Sequence, residues 1–122
     1  MDKLRIGIVG CGAIGSSLAK TILKDFSKAA CLAALYDIDT TKSRKLAKSI
    51  LKNSLVTLSL KQLVNKSQLV IEATSAKSSW EIARHTLMKK RDIMIMSIGG
   101  VAEHFRRLSQ LAKKNNAKVY LP

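Results

Sequence analysis

The chain has 122 residues, 47% hydrophobic and 25% charged, which suffices for one buried core and is too short for two. No stretch approaches the roughly 18 consecutive apolar residues of a membrane span, and glycines break the apolar opening where a signal peptide would be continuous, so a cytoplasmic chain is expected. The net charge of +14 favours anionic ligands and raises nucleic acid as a partner to be weighed.

Short apolar runs alternate with longer amphipathic ones, the pattern of a parallel α/β sheet. Leu4 to Val9, closed by Gly10, reads as a buried strand. Ile14, Leu18, Ala19, Ile22, Leu23 and Phe26 then fall on one face of a helix. Ala30 to Tyr36 is the second strand, ending at Asp37. Thr40 or Thr41 is placed to cap a helix through about Lys52. Val56 to Leu58 is a short third strand, and Leu60 to Asn65 at most a short helix. Gln68 to Ala73 is the fourth strand, followed by a helix from about Ser78 to Lys90 with Trp80, Ala83 and Leu87 on one face. Ile93 to Ile98 is the fifth strand, Ala102 to Asn115 the last helix, and Lys118 to Leu121 the sixth strand. The expected architecture is a doubly wound Rossmann sheet of six parallel strands in order 3-2-1-4-5-6, as one domain over residues 1–122, with no residues left for a substrate domain.

In this arrangement Cys11 follows the first strand and Cys31 begins the second, which puts them about 15–20 Å apart at ~3.3 Å per residue. A disulfide needs Cα atoms within roughly 7 Å, so free thiols in a reducing compartment are expected.

Gly10-Cys11-Gly12-Ala13-Ile14-Gly15 matches G-x-G-x-x-G between a strand and a helix, the context its mechanism requires. Gly10 permits the turn, Gly12 lets backbone approach a pyrophosphate, and Gly15 lets the helix pack on the strand. The helix N-terminus adds free N–H groups and partial positive charge. Asp37 follows Gly15 by about 20 residues at the end of the second strand, where a carboxylate meets the ribose hydroxyls. It would repel a 2′-phosphate, so NAD is favoured over NADP, with Lys42 and Arg44 placed to soften the repulsion. Ile38 is counted with Asp37 among the cofactor-binding residues. Across the crevice, the loops Glu72-Ala73-Thr74-Ser75 and Met96-Ser97-Ile98-Gly99-Gly100 are small enough to border ribose and nicotinamide.

Other reactive side chains read as structural. His85 is expected to be a solvated helix residue, His104 a helix-surface residue without a carboxylate or nucleophile partner, and Trp80 a packing residue. Cys11 is expected to be a bland loop residue, although a helix N-terminus can activate a thiol. No metal-ligand spacing and no nucleophile elbow is present in the sequence.

Together these motifs resemble L-aspartate dehydrogenases: the opening Lys3 to Gly15, then Val70-Ile71-Glu72-Ala73-Thr74-Ser75, then Ser97-Ile98-Gly99-Gly100-Val101-Ala102, and the ending Lys118-Val119-Tyr120-Leu121-Pro122. The first motif is shared with homoserine dehydrogenases. The resemblance implies NAD(P)-dependent interconversion of L-aspartate and iminoaspartate, feeding NAD biosynthesis. It implies that Gly10, Gly12, Ala13, Ile14 and Gly15 contact the pyrophosphate and Asp37 the ribose. Ala73, Thr74, Ser75, Ser97, Gly99 and Gly100 would border the rest of the cofactor. At Gly100 the family typically has alanine. Its catalytic histidine and substrate-binding residues belong to a C-terminal domain outside these residues. No catalytic residue is therefore assigned here, and an amino-acid substrate and a homodimer are expected only of a longer form.

A different class of function, a regulatory NAD(H)-sensing Rossmann module, shares the glycine loop and the aspartate, but the Ser-Ile-Gly-Gly loop fits a dehydrogenase better. Specific nucleic-acid binding is disfavoured, because the basic residues are spread over separate helices and only 4% of residues are aromatic.

Overall fold

Strand periodicity sets the layers. Ile6 and Ile8 of the first strand are buried on one face of the sheet, and Val9 on the other. In the computed structural model, which describes residues 2–122, the elements are β1 (Leu4–Val9), α1 (Ala13–Asp25), β2 (Ala30–Tyr36), α2 (Thr40–Ser49), α3 (Leu60–Lys66), β3 (Leu69–Glu72), α4 (Ala76–Met88), β4 (Asp92–Ile95), α5 (Phe105–Lys114) and β5 (Val119–Tyr120). Single 3-10 turns occupy Asn53–Leu55, Ile98–Gly100 and Ala102–His104. The strands form one parallel sheet in the order β2-β1-β3-β4-β5. On one face Ile6, Ile8, Leu32 and Ile71 pack with Ala19, Ile22, Leu46 and Ala47 of α1 and α2. On the other, Val9, Val70, Ile93 and Ile95 pack with residues of α3, α4 and α5, including Leu63, Ile82, Leu87 and Leu108.

The sheet has five strands where six were expected. The segment read as a third strand makes one parallel bridge, Leu35 with Val56, on the outer edge of β2. It is too short for more. The 3-10 turn consumes the residues before it, both the N–H and the hydroxyl of Thr57 donate to the Leu35 carbonyl (2.8 and 2.9 Å), and Ser59 already caps α3 by accepting from the Gln62 N–H. With that bridge read as a vestigial strand, the spatial order is the one expected.

Several boundaries differ. The N-cap of α2 is Asp39, whose Oδ1 accepts from the Thr41 N–H at 3.0 Å, in place of Thr40 or Thr41. α4 starts at Ala76, two residues before the expected Ser78, and β4 stops at Ile95, after which the chain turns. Cys11 lies beyond the carboxyl end of β1 and Cys31 near the start of β2, so the two thiols are at opposite ends of the sheet, both free. Among the described residues no helix is long and apolar enough to cross a membrane.

Candidate functional site

The carboxyl ends of β1, β2 and β3 open into a crevice of about 700 Å³, where an open α/β sheet reverses strand order and binds its ligands. The glycine loop forms its floor. Gly10 adopts φ +99°, donates its N–H to the Tyr36 carbonyl at 2.8 Å, and lies so close to the Ala73 carbonyl that a Cβ would strike it. Gly15, in the first turn of α1, abuts the Gly10 carbonyl in the same way. These two glycines are demanded by the fold.

Gly12 is different. Its backbone is extended, with φ −80° and ψ −154°, so no left-handed conformation demands glycine, and a Cβ there would meet nothing within 4 Å. A side chain there would stand in open space, and Gly12 lines both the crevice and a cleft between α1 and α2. Gly12 is also the N-cap of α1, with no side-chain cap and no acidic residue in the first turn, so the positive end of the helix is left for an external anion.

Asp37 ties this floor to the second strand. Its Oδ2 accepts from the Cys11 N–H at 2.8 Å and its Oδ1 from the Asp39 N–H at 2.9 Å. Each oxygen keeps a further lone pair for a ligand hydroxyl. Ile38, 92% exposed, and Lys42 stand beside it on the crevice wall. The Cys11 thiol is buried and donates weakly to the Tyr36 carbonyl at 3.6 Å. Burial, reinforced by the adjacent Asp37 carboxylate, pushes its pKa up to about 12. The helix N-terminus therefore does not activate it.

The opposite wall is Ala73, Thr74 and Ser75 with the first turns of α4. Of the expected site residues, Gly10, Gly12, Asp37, Ile38, Ala73, Thr74 and Ser75 line the crevice. Ala13 faces the adjoining cleft between α1 and α2, Ile14 is exposed, and Gly15 is buried beneath Gly10. Ser97, Gly99 and Gly100 stand outside the crevice lining, on the turn after β4. At Gly100 an added Cβ would strike the Ala76 carbonyl and the Ser79 hydroxyl. The alanine that the resemblance would place there does not fit this turn against α4.

Sequence reasoning missed the lining contributed by Tyr36, Leu60, Lys77, Ser78, Glu81 and Ile82. The spacing of Lys77, Ser78, Glu81 and Ile82 is helical, and a helix start at Ala76 would have put them at the crevice. It also missed the role of Glu72. This carboxylate, fully buried at the end of β3, accepts from the Thr74 N–H and hydroxyl (2.8 and 2.7 Å) and from the Met96 and Ser97 N–H groups (3.2 and 2.9 Å).

The cleft between α1 and α2, about 380 Å³, shares Gly12 and Lys42 with the crevice and adds Ser16, Lys20 and Lys45, with no acidic residue in its lining. Two other expectations are refined. His85 is half-buried rather than solvated; its Nε2 is shielded without a hydrogen-bond partner, and burial, with Lys89 and Arg84 nearby, lowers its pKa. His104 stacks on Trp80 with ring centroids 4.4 Å apart, and the Arg107 guanidinium lies 5.2 Å from the Trp80 ring, which joins α4 to the start of α5. Among the described residues no group of three His, Cys, Asp or Glu side chains could hold a metal.

The chain is similar to known proteins in sequence and in fold. Over 98% of its length the chain is 39% identical to an L-aspartate dehydrogenase of Methanocaldococcus jannaschii, of which it covers 45%; it spans about that share of the curated relatives it matches. Two solved structures share the fold. One is GenD2 from gentamicin A biosynthesis in complex with NAD (TM-score 0.86, 21% identity, 99% of this chain and 34% of that one). The other is a hyperthermophilic archaeal homoserine dehydrogenase in complex with NADPH (TM-score 0.73, 21% identity, 98% and 44%). The family model described as the NAD-binding domain of homoserine dehydrogenase matches residues 10–122, and the chain belongs to that family of NAD-binding domains.

Proposed function

We propose that these residues are the cofactor-holding part of an oxidoreductase acting on L-aspartate, with NAD preferred over NADP. The observation that carries the cofactor half of this reading is Gly12. The fold imposes no need for glycine there, whereas a pyrophosphate lying across the N-terminus of α1 does. The substrate half rests on the similarity to L-aspartate dehydrogenases, and the remaining length of those relatives is where groups acting on the amino acid are expected.

The bound nicotinamide would supply the hydride chemistry, and the protein supplies binding and orientation. Gly12 and the first turn of α1 hold the pyrophosphate. Asp37 accepts from the adenosine ribose hydroxyls with its free lone pairs, while its two backbone hydrogen bonds fix it against the loop. Thr74 and Ser75 stand along the path toward the nicotinamide, and Ser97, Gly99 and Gly100 border that half from the turn after β4.

One observation favours NADP as a second cofactor. The α1–α2 cleft brings Lys20, Lys42 and Lys45 together beside Gly12 without a carboxylate, which offsets the repulsion between Asp37 and a 2′-phosphate. Calorimetric titration with NAD, NADP and their reduced forms tests the order. Tighter binding of NAD is expected, with measurable NADP binding; a clear preference for NADP would reverse the assignment of Asp37. Residues 1–122 alone are expected to bind cofactor without oxidising L-aspartate.

A further inference from the structure

Glu72 is the buried carboxylate that the reading above leaves unused. It is 0% exposed and projects from β3 on the same face as Val70, among apolar side chains. Among the described residues the ion pair present is Arg84 with Glu81, so no cation balances it. A carboxylate in such a place is costly unless its lone pairs are filled. Here they are filled asymmetrically, one oxygen for each loop. Oε2 takes both donors of Thr74, from the loop after β3. Oε1 takes the Ser97 N–H at 2.9 Å, from the turn after β4, and at 3.2 Å shares the Met96 N–H, whose shorter bond of 3.0 Å is to the Glu72 backbone carbonyl. The turn's far end is held separately, by the close fit of Gly100 on Ala76 and Ser79.

We propose that Glu72 is a positioning residue for the nicotinamide half of the dinucleotide. It sets the separation between Thr74–Ser75 and Ser97–Gly100, the two segments that flank that half; this rests on the cofactor reading above. Being wholly enclosed, Glu72 cannot touch a ligand and acts through Thr74 and Ser97. Two loops that both present donors require a group that only accepts, with two oxygens in fixed relation. Glutamine replaces it poorly: with its oxygen on the Met96 and Ser97 N–H groups its NH₂ faces Thr74, whose hydroxyl turns to accept but whose N–H loses its partner. The adenosine side, built on Gly12 and Asp37, does not depend on Glu72.

The test compares two probes on the 122-residue chain, NADH and ADP-ribose, which lacks the nicotinamide. For Glu72→Gln, ADP-ribose affinity is expected to stay within about twofold of wild type while NADH affinity falls about tenfold. Glu72→Asp, which keeps two accepting oxygens but draws them back from both loops, is expected to show the same split with a loss of about threefold for NADH. It carries the test where Glu72→Gln unfolds. Parallel loss of both affinities, or no loss of either, would overturn the proposal alone. A wild-type chain that binds neither probe would overturn the cofactor reading and this proposal with it.

Discussion

At the scale of single residues, the glycine loop separates what the fold needs from what a ligand needs. Gly10 and Gly15 are fixed by a positive φ and by carbonyls of their own chain, whereas Gly12 is fixed by nothing in the protein. The motif's spacing already divides these roles into a turn at Gly10, an approach to pyrophosphate at Gly12 and helix packing at Gly15, and the structure supplies the contacts at Gly10 and Gly15 that the spacing could not name. Asp37 was legible from its distance to the loop. Its bonds to Cys11 and Asp39 were not, since they depend on how the β2–α2 turn folds back on the loop. Cys11 carries a prediction at this scale. With its thiol buried and its pKa near 12, the reactive thiolate is scarce at neutral pH. Iodoacetamide labelling followed by peptide mapping is expected to modify the half-buried Cys31 well before Cys11. Faster modification of Cys11 would show that the loop opens or that its thiol is activated.

Helix ends are where sequence reading and structure part at the scale of elements. α2, α4 and α5 were expected to run to Lys52, Lys90 and Asn115, and they end at Ser49, Met88 and Lys114. All three close with the same two bonds. In α2 the Leu51 N–H reaches the Lys48 carbonyl and the Lys52 N–H the Ala47 carbonyl; α4 repeats this with Lys90 and Arg91, and α5 with Asn116 and Ala117. The left-handed residue of this closure is usually glycine. Here it is Leu51 (φ 58°), Lys90 (φ 61°) or Asn116 (φ 51°), so the glycine that marks a helix end is absent from all three, and only α5, read to within one residue, carries the lesser asparagine signal. The six glycines serve other positions. Leu51 is 90% exposed and loses little packing on replacement. Leu51→Gly is therefore expected to stabilise the fold by about 1 kcal/mol, through relief of the left-handed penalty, read as a higher midpoint in chemical denaturation. A lower midpoint would mean that the leucine makes contacts that outweigh its backbone strain.

For the whole molecule, the alternation of strands and helices made the doubly wound sheet legible, and the strand order followed from the glycine loop opening the first crossover. The expected third strand, Val56 to Leu58, failed on length: a segment between a 3-10 turn and the cap of α3 has room for one bridge. The crevice was legible along β1 and β2, where the motif lies on consecutive residues. It was less so across β3 and β4, where Glu72 joins segments that are distant in sequence and only register makes adjacent. The net charge of +14 acquires a local meaning at the crevice, because Lys42, and with it Lys20 and Lys45 in the adjoining cleft, surround the helix N-terminus offered to an anion. The central claim is that Gly12 is glycine for a ligand and not for the fold. Titration of NADH into wild type and Gly12→Ala, alongside denaturant unfolding of both, tests it most directly. A loss of affinity of about tenfold or more is predicted, with stability falling by no more than the ~1 kcal/mol that alanine costs at an N-cap. Equal NADH affinity in the two chains, or a loss of stability well beyond that N-cap cost, would contradict it.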